Sequence, residues 1–384
     1  MKIAINHRGG DPKSYRAKRV QSLFNAEDNS FSIEADIPIE GQDWQIGVIV
    51  GPSGSGKTSL GRRMFGAESL VVDNQWPACP IIDAILPDGD FNDVTNALSA
   101  VGLGTVPAWL RPYSLLSNGE KFRADLAKVL AEAPSLAVID EFTSVVDRQI
   151  AKVAAGAFAK SWRRGTGKVV LLTCHYDVID WLEPDWILDT TPSVDGGAKF
   201  TARWERPSWY QRPKLKLEIR KVDGKLWPLF APHYYLNLPR MIAADYYAGF
   251  IDGEPVAHVC LAPRPGLHEA RASRLVVMPE WQGAGVGLRF LNAVCELWEK
   301  GQNRYNKPMR TLFHTSHPAL SSALRRDLKW TQISAVLHGD NRLRSVASLR
   351  KAGLQSGWEA KGGFGGHFRA VQGFRYLGQN TCEL

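Results

Sequence analysis

No run in these 384 residues approaches the roughly 18 uninterrupted apolar positions of a membrane span. Met1 to Arg8, MKIAINHR, has no apolar segment behind it of the kind a secretory leader carries. The expectation is a cytoplasmic protein with no membrane partner. Cysteine is scarce: Cys79, Cys174, Cys260, Cys295 and Cys382 are odd in number, widely scattered and free of any CxxC pair. That excludes a disulfide framework and a zinc ribbon, and reads as buried or incidental thiols. Internal repeats, heptad runs and low-complexity tracts are also missing, which excludes solenoids and coiled coils.

What is present is a globular balance of 44% hydrophobic and 22% charged residues, in a chain long enough for two domains. The net charge of +8 hides an asymmetry. Residues 1–205 hold 21 Lys and Arg against 26 Asp and Glu, whereas residues 206–384 hold 26 against 13. An acidic half joined to a strongly basic half points to a polyanion as the partner of the second half alone. A break near Pro192-Ser193-Val194-Asp195-Gly196-Gly197, followed by Arg206 to Pro213, sets expected domains of 1–205 and 206–384. Lys214 to Arg220 then alternates polar and apolar residues, which predicts a half-buried strand.

In the first half, Trp44 to Val50 reads as a buried strand leading into Gly51-Pro52-Ser53-Gly54-Ser55-Gly56-Lys57-Thr58 and a helix that begins near Ser59. This is GxxxxGK[ST] in its required strand-loop-helix setting. Backbone N–H groups from Gly51 to Ser59, with Ser53 and Ser55 among them, cradle phosphates at a helix N-terminus. Lys57 reaches the terminal phosphates and the Thr58 hydroxyl takes Mg²⁺. Leu136 to Ile139 reads as a buried strand ending in two carboxylates, so that Asp140 meets the metal's water shell and Glu141 activates the attacking water. Val169 to Cys174 gives another strand, ending at His175.

Between these pieces, Leu116-Ser117-Asn118-Gly119-Glu120 resembles the LSGGQ signature of ABC ATPases, and Ser144-Val145-Val146-Asp147 resembles their D-loop. The resemblance covers about residues 15–190. It implies an ATP- and Mg²⁺-dependent hydrolase with Ser117, Gly119 and Asp147 at the nucleotide and His175 as the switch histidine. It further implies a head-to-tail homodimer, because the signature of one copy completes the site of the other. Two features depart from transport ATPases. Only 60 positions separate Lys57 from Ser117, too few for the usual helical subdomain that docks on membrane partners. Gln75, the one Gln in that interval, is the candidate Q-loop residue and metal contact.

In the second half, the strand Ser273 to Met278 precedes Gln282-Gly283-Ala284-Gly285-Val286-Gly287 and a helix through Val294. Successive N–H groups at a helix N-terminus form another anion cradle. The run resembles motif A of the GNAT acyltransferases, which implies that Gln282, Gly283, Gly285 and Gly287 bind the pyrophosphate of acetyl-CoA or another acyl-CoA. Tyr246 to Val259 predicts a hairpin turning at Asp252-Gly253, as that fold carries before motif A. The family's Asn and Tyr are missing after the strand Met309 to Thr315. His233, in Pro232-His233-Tyr234-Tyr235-Leu236, and His317, in Ser316-His317-Pro318, are therefore the candidate bases, or two ligands of a shared metal.

The expected fold class is α/β: a P-loop ABC-type nucleotide-binding domain followed by an α+β GNAT-like acyltransferase domain. The second half also has a distant resemblance to phage Mom-type DNA modification proteins, which implies modification of a DNA base. The alternatives are a DNA-maintenance or defence ATPase whose GNAT-like domain only binds, and an ABC transporter-type ATPase subunit.

Overall fold

The computed structural model describes residues 2–7, 14–16, 18–19, 31–71, 76–191, 198–205, 214–236, 238–264, 267–336 and 370–378. The chain packs as two compact units, one made of Met1–Pro77 with Ser117–Pro213 and the other of Ala78–Leu116 with Lys214–Leu384.

In the first unit, strands β1 (Lys2–His7) and β2 (Phe31–Asp36) form an antiparallel pair. A six-stranded sheet follows, built from β3 (Ile46–Val50), β4 (Leu70–Val71), β5 (Leu136–Ile139), β6 (Lys168–Thr173), β7 (Trp186–Asp189) and β8 (Lys199–Ala202). Its order is β4-β5-β6-β3-β7-β8, parallel except for β8. Helix α1 (Lys57–Phe65) leaves the tip of β3. The chain quits this unit after Pro77, makes α2 (Phe91–Ala100), and returns at Ser117 with α3 (Asn118–Glu132) and α4 (Arg148–Trp162). All five β3 residues are buried, as a central strand covered on both faces requires. Because β3, β5, β6 and β7 run parallel, their C-terminal tips share one edge, where Gly51, Asp140, Cys174 and Thr190 follow them.

The second unit holds one seven-stranded sheet, made of β9 (Glu218–Val222), β10 (Asp245–Ile251), β11 (Glu254–Pro263), β12 (Glu269–Val277), β13 (Arg310–Thr315), β14 (Trp330–Val336) and β15 (Val371–Tyr376). Its order is β14-β15-β13-β12-β11-β10-β9, and β12 with β13 is the one parallel pair. The expected hairpin is β10–β11. Its turn residues Asp252 and Gly253 sit at φ 52° and 85°, the left-handed pair that a tight two-residue turn uses. The strand expected from Lys214 begins later, at Glu218. Helix α5 (Val286–Glu299) buries Phe290, Leu291, Val294, Cys295 and Trp298, spaced one helical turn apart, and Trp298 Nε1 donates to Tyr247 Oη at 3.1 Å. Helix α6 (Pro318–Arg326) follows β13.

Two details of this sheet open a cavity. The β12–β13 pairing stops at Ala272 opposite Phe313, although β12 continues to Val277 and β13 to Thr315. In addition, the register against β11 shifts between His258 and Cys260, with Arg274 opposite at φ 55°. An extra residue on one strand bends it, so β12 turns away from β13.

A division after residue 205 would leave Ala78–Leu116 with the ATP-binding half, but contacts place it in the second unit. The packing explains why. Trp109 is buried, its Nε1 donates to Leu103 O at 2.7 Å, and its ring meets the His317 ring edge to face at 5.5 Å. Cys260 and Cys295 are buried, and burial pushes both thiols up to about 12, which leaves them unreactive. Cys79 and Cys174 are partly exposed, and Cys382 lies outside the described residues.

Candidate functional site

The phosphate loop hangs between β3 and α1. Gly54 at φ 79° and Gly56 at φ 78° take the left-handed turns that point successive N–H groups to one side. Lys57 Nζ donates to the carbonyls of Gly51 at 2.9 Å and Pro52 at 2.7 Å, so the ammonium lies across the loop mouth. Thr190, just past β7, anchors the loop from below: its hydroxyl is 2.6 Å from Ser55 Oγ and donates to Val50 O at 3.1 Å. Ser55 is consequently buried and serves the loop's shape, whereas Ser53 and Gly54 are exposed, and Thr58 and Ser59 are half-buried in the first turn of α1. A left-handed loop, a lysine and an uncapped helix start fit a nucleotide's phosphates.

Across the same sheet edge, Asp140 Oδ1 accepts the Glu141 N–H at 2.8 Å, and Glu141 itself is exposed at φ 50°. Thr173 Oγ1 donates to Phe142 O at 2.8 Å and accepts the His175 N–H at 3.1 Å, which ties the tips of β5 and β6 together. Thr143 Oγ1 lies 3.1 Å from His175 Nδ1. Burial, and then the Arg148 guanidinium, hold the His175 imidazole below its ordinary value, with Asp177 pulling the other way. Arg148 is itself paired with Asp177, and Lys152 joins that carboxylate at 3.4 Å.

The signature begins α3. Ser117 is the N-cap: its Oγ accepts the Glu120 N–H at 3.4 Å, while Glu120 Oε2 accepts the Ser117 N–H at 2.9 Å. The two bonds form a capping box, which the family's commoner Gln at this position would complete equally well. Gly119 sits against Ile150, where a Cβ would come within 3.0 Å of Cδ1. Asp147 caps α4 through its Oδ1, which accepts from Gln149 N at 2.8 Å and Ile150 N at 3.3 Å. Gln75 lies outside the described residues.

In the second unit, the opening between β12 and β13 leads into a cavity of about 1030 Å³. Gln282, Gly283, Gly285 and Gly287 all line it at the start of α5. Gly285 caps that 14-residue helix at φ 76° with nothing within 4 Å of where a Cβ would stand, so the helix N-terminus faces open space. Bare N–H groups at a helix start beside a deep cavity fit the pyrophosphate and pantetheine arm of an acyl-CoA.

His233 and His317 both line this cavity, together with Arg111, Arg271, Arg274 and His314, and no Asp, Glu or Lys is among its described lining residues. His317 is fully engaged. Its Nδ1 accepts the Leu320 N–H at 3.4 Å as the cap of α6, so Nε2 carries the proton and donates to Gly104 O at 3.1 Å. Burial holds its imidazole below the ordinary value. His314, which sequence reasoning passed over, is pushed down to about 4 by burial and by Arg271 and Arg264. Among the described residues no group of three or more His, Cys, Asp or Glu comes together as a metal site. The arginines and His314 carry no motif. The signal of Arg271, Arg274 and His314 is only that they fall on β12 and β13, the strands flanking the expected cradle, and Arg111, in the Ala78–Leu116 segment, has none.

Residues 204–312 match the Acetyltransferase (GNAT) family. The first part of the chain is similar to ATP-binding proteins of ABC systems. The cytochrome c biogenesis ATP-binding export protein CcmA of Rhodospirillum rubrum is 28% identical over 163 residues, covering 34% of this chain and 68% of that protein. The zinc import ATP-binding protein ZnuC of Jannaschia sp. is 34% identical over 150 residues, covering 34% of this chain and 61% of that protein, so the chain spans about three-fifths of that relative's length. Among solved structures, cbiO1 from Clostridium perfringens, part of the ABC transporter complex cbiONQ, aligns with a TM-score of 0.33 at 19% identity, over 41% of this chain and 76% of that one. The chain thus joins an ABC-type ATPase domain to a GNAT acetyltransferase domain. No helix among the described residues is long and apolar enough to cross a membrane.

Proposed function

We propose that this chain is an ATP-dependent acyltransferase that modifies nucleic acid, with DNA as the favoured substrate. The observation that carries the reading is the cavity at the start of α5, which combines a phosphate cradle with arginine and histidine side chains and lacks any carboxylate among its described lining residues. A cavity of that chemistry accepts an anionic carrier of the acceptor amine and repels a lysine side chain or a polyamine. The surplus of 26 basic over 13 acidic residues in 206–384 supports the same partner, and so does the distant Mom-type resemblance.

In the transfer itself the acceptor nitrogen attacks the thioester carbonyl, the N–C bond forms, the C–S bond breaks, and the CoA thiol takes up the proton. His233 is the base on this reading, because both ring nitrogens of His317 are already used. In the first unit Lys57 and the loop N–H groups hold the phosphates of ATP, Thr58 and Asp140 hold Mg²⁺, and Glu141 and His175 serve the attacking water. The exposed Ser117 and the half-buried Gly119 serve the nucleotide of a second copy in a homodimer.

The test has two arms. Binding to double-stranded DNA should weaken by orders of magnitude between 50 and 200 mM salt, roughly as counterion release dictates. Mass spectrometry of nucleosides from cells with and without the protein should then reveal an acylated base. A flat salt response overturns the nucleic-acid reading. Steep binding with no new nucleoside and no consumption of acetyl-CoA favours the second reading, a DNA-maintenance or defence ATPase whose GNAT domain only binds, to which the engagement of His317 lends weight.

The relatives' own names concern export and import. Against transport here stands the packing of Ala78–Leu116, the interval that docks on membrane partners in transport ATPases, onto the acyltransferase unit.

A further inference from the structure

We infer that the Ala78–Leu116 insert supplies one wall of the acyl-donor site, with Arg111 as the side chain that takes a phosphate of the donor; this rests on the acyl-CoA reading above. The insert is a folded piece. Leu103 N–H donates to Leu98 O at 2.8 Å at the end of α2, and the buried Trp109 indole fastens Leu103 from the other side. Between these two anchors the loop Val101–Thr105 lies against the residues that open α5. Gly104 N–H donates to Gln282 Oε1 at 3.0 Å, and Gly104 O accepts from His317 Nε2 at 3.1 Å. Gly102 stands so close that a Cβ there would lie 2.1 Å from Gln282 O.

These contacts have a consequence for Gln282. Its side-chain oxygen accepts from Gly104 and its Nε2 donates to Val277 O at 3.0 Å, so the amide joins the insert to the end of β12 just before the cradle. The wall continues along the insert through Thr105, Pro107 and Arg111, all of which line the cavity. Arg111 is held in place by its backbone, whose carbonyl accepts the Ile81 N–H at 3.0 Å. Its side chain is exposed and makes no hydrogen bond or ion pair with a described residue.

A coenzyme A donor carries more phosphate than one helix N-terminus satisfies, since the 3′-phosphate stands apart from the pyrophosphate. An unengaged guanidinium on the wall joined to the cradle loop, with five donors in a planar fork, matches that group. The recognition is of a phosphorylated nucleotide end, and the acyl and pantetheine portions are left to the β12–β13 opening.

The experiment is calorimetric titration of the full chain with acetyl-CoA and, separately, with acetyl-dephospho-CoA. Arg111→Ala should weaken acetyl-CoA binding about tenfold or more, Arg111→Lys should recover part of it, and acetyl-dephospho-CoA should bind the wild type and Arg111→Ala alike. The residue is exposed, so the thermal midpoint should stay where it is and a folding defect is not mistaken for a binding one. Equal acetyl-CoA affinity in wild type and Arg111→Ala overturns the inference while the acyl-CoA reading stands. Failure of the wild type to bind either compound overturns both.

Discussion

Gln282 accepts through its side-chain oxygen the backbone N–H of Gly104, 178 residues earlier in the chain. A segment lying between Lys57 and Ser117 in sequence is thereby fastened to the glycine-rich start of α5. The closeness of this fit is testable at Gly102, whose φ of +84° favours glycine and whose Cβ would lie 2.1 Å from the Gln282 carbonyl oxygen. Gly102→Ala has to shift backbone, not a flexible side-chain end, and is expected to cost at least about 2 kcal/mol. Urea unfolding checks this, and an unchanged midpoint at constant slope would show that the loop does not pack this way.

Glu141→Gln removes the carboxylate at the tip of β5 and keeps its shape. The residue is exposed, and it donates to Asp140 Oδ1 through its main-chain N–H, a bond that the substitution leaves in place. Folding should therefore be untouched while ATP hydrolysis falls by about 100-fold or more, the scale of a lost general base. Turnover of ATP measured against thermal midpoint separates the two effects. If the variant hydrolyses ATP at the wild-type rate, the base lies elsewhere.

Much of the first unit was legible because its chemistry is local. The run from Trp44 to Thr58 contains a buried strand, a turn that requires glycine and a helix start, and it folds accordingly. The same holds for Asp252-Gly253 and for the glycine-rich start of α5. What escaped was long-range. Thr190 under the phosphate loop and Thr143 against His175 are ordinary threonines in sequence, selected by strand order alone. The allegiance of Ala78–Leu116 depends on Gly104, Trp109 and His317 meeting across the chain, and no local propensity encodes that. In sequence His317 is a loop histidine, and its cap on α6 and its bond to Gly104 emerge only with tertiary contact.

His258 gives a pH signature. Its ring is fully buried among Trp227, Phe230 and Tyr246, Nδ1 lies 3.3 Å from Arg274 O, and Nε2 is buried without a hydrogen-bond partner. Protonating Nε2 would bury an unpaired charge, so the group is pushed down to about 4, against about 6.5 in the unfolded chain. Between those values the unfolded state binds a proton that the native state refuses. The stabilisation is whole above pH 6.5 and is lost as pH falls towards 4, amounting to about 2 kcal/mol between pH 7.5 and 5. His314, also near 4, acts in the same sense but is common to wild type and variant. Unfolding free energies of wild type and His258→Phe at the two pH values should therefore diverge, with the variant losing less. Parallel losses would mean that another group carries the acid limb.

Ser117 has two separable duties. As the N-cap of α3 it exchanges hydrogen bonds with Glu120, and its replacement by Ala is expected to cost about 1 kcal/mol through the lost cap alone. As the first polar residue of the signature it also stands exposed, and on the proposed homodimer reading its hydroxyl meets the nucleotide of a second copy. Glu120→Gln is the control, because a glutamine side chain still accepts from the Ser117 N–H and so keeps the reciprocal cap. Glu120→Gln should leave both the unfolding midpoint and ATP turnover close to wild type. Ser117→Ala should lower the midpoint slightly and reduce turnover far more than that loss explains. Ser117→Asp restores a good cap while placing a carboxylate against the phosphates. It should recover the midpoint without recovering turnover, and recovery of both would confine Ser117 to holding its helix.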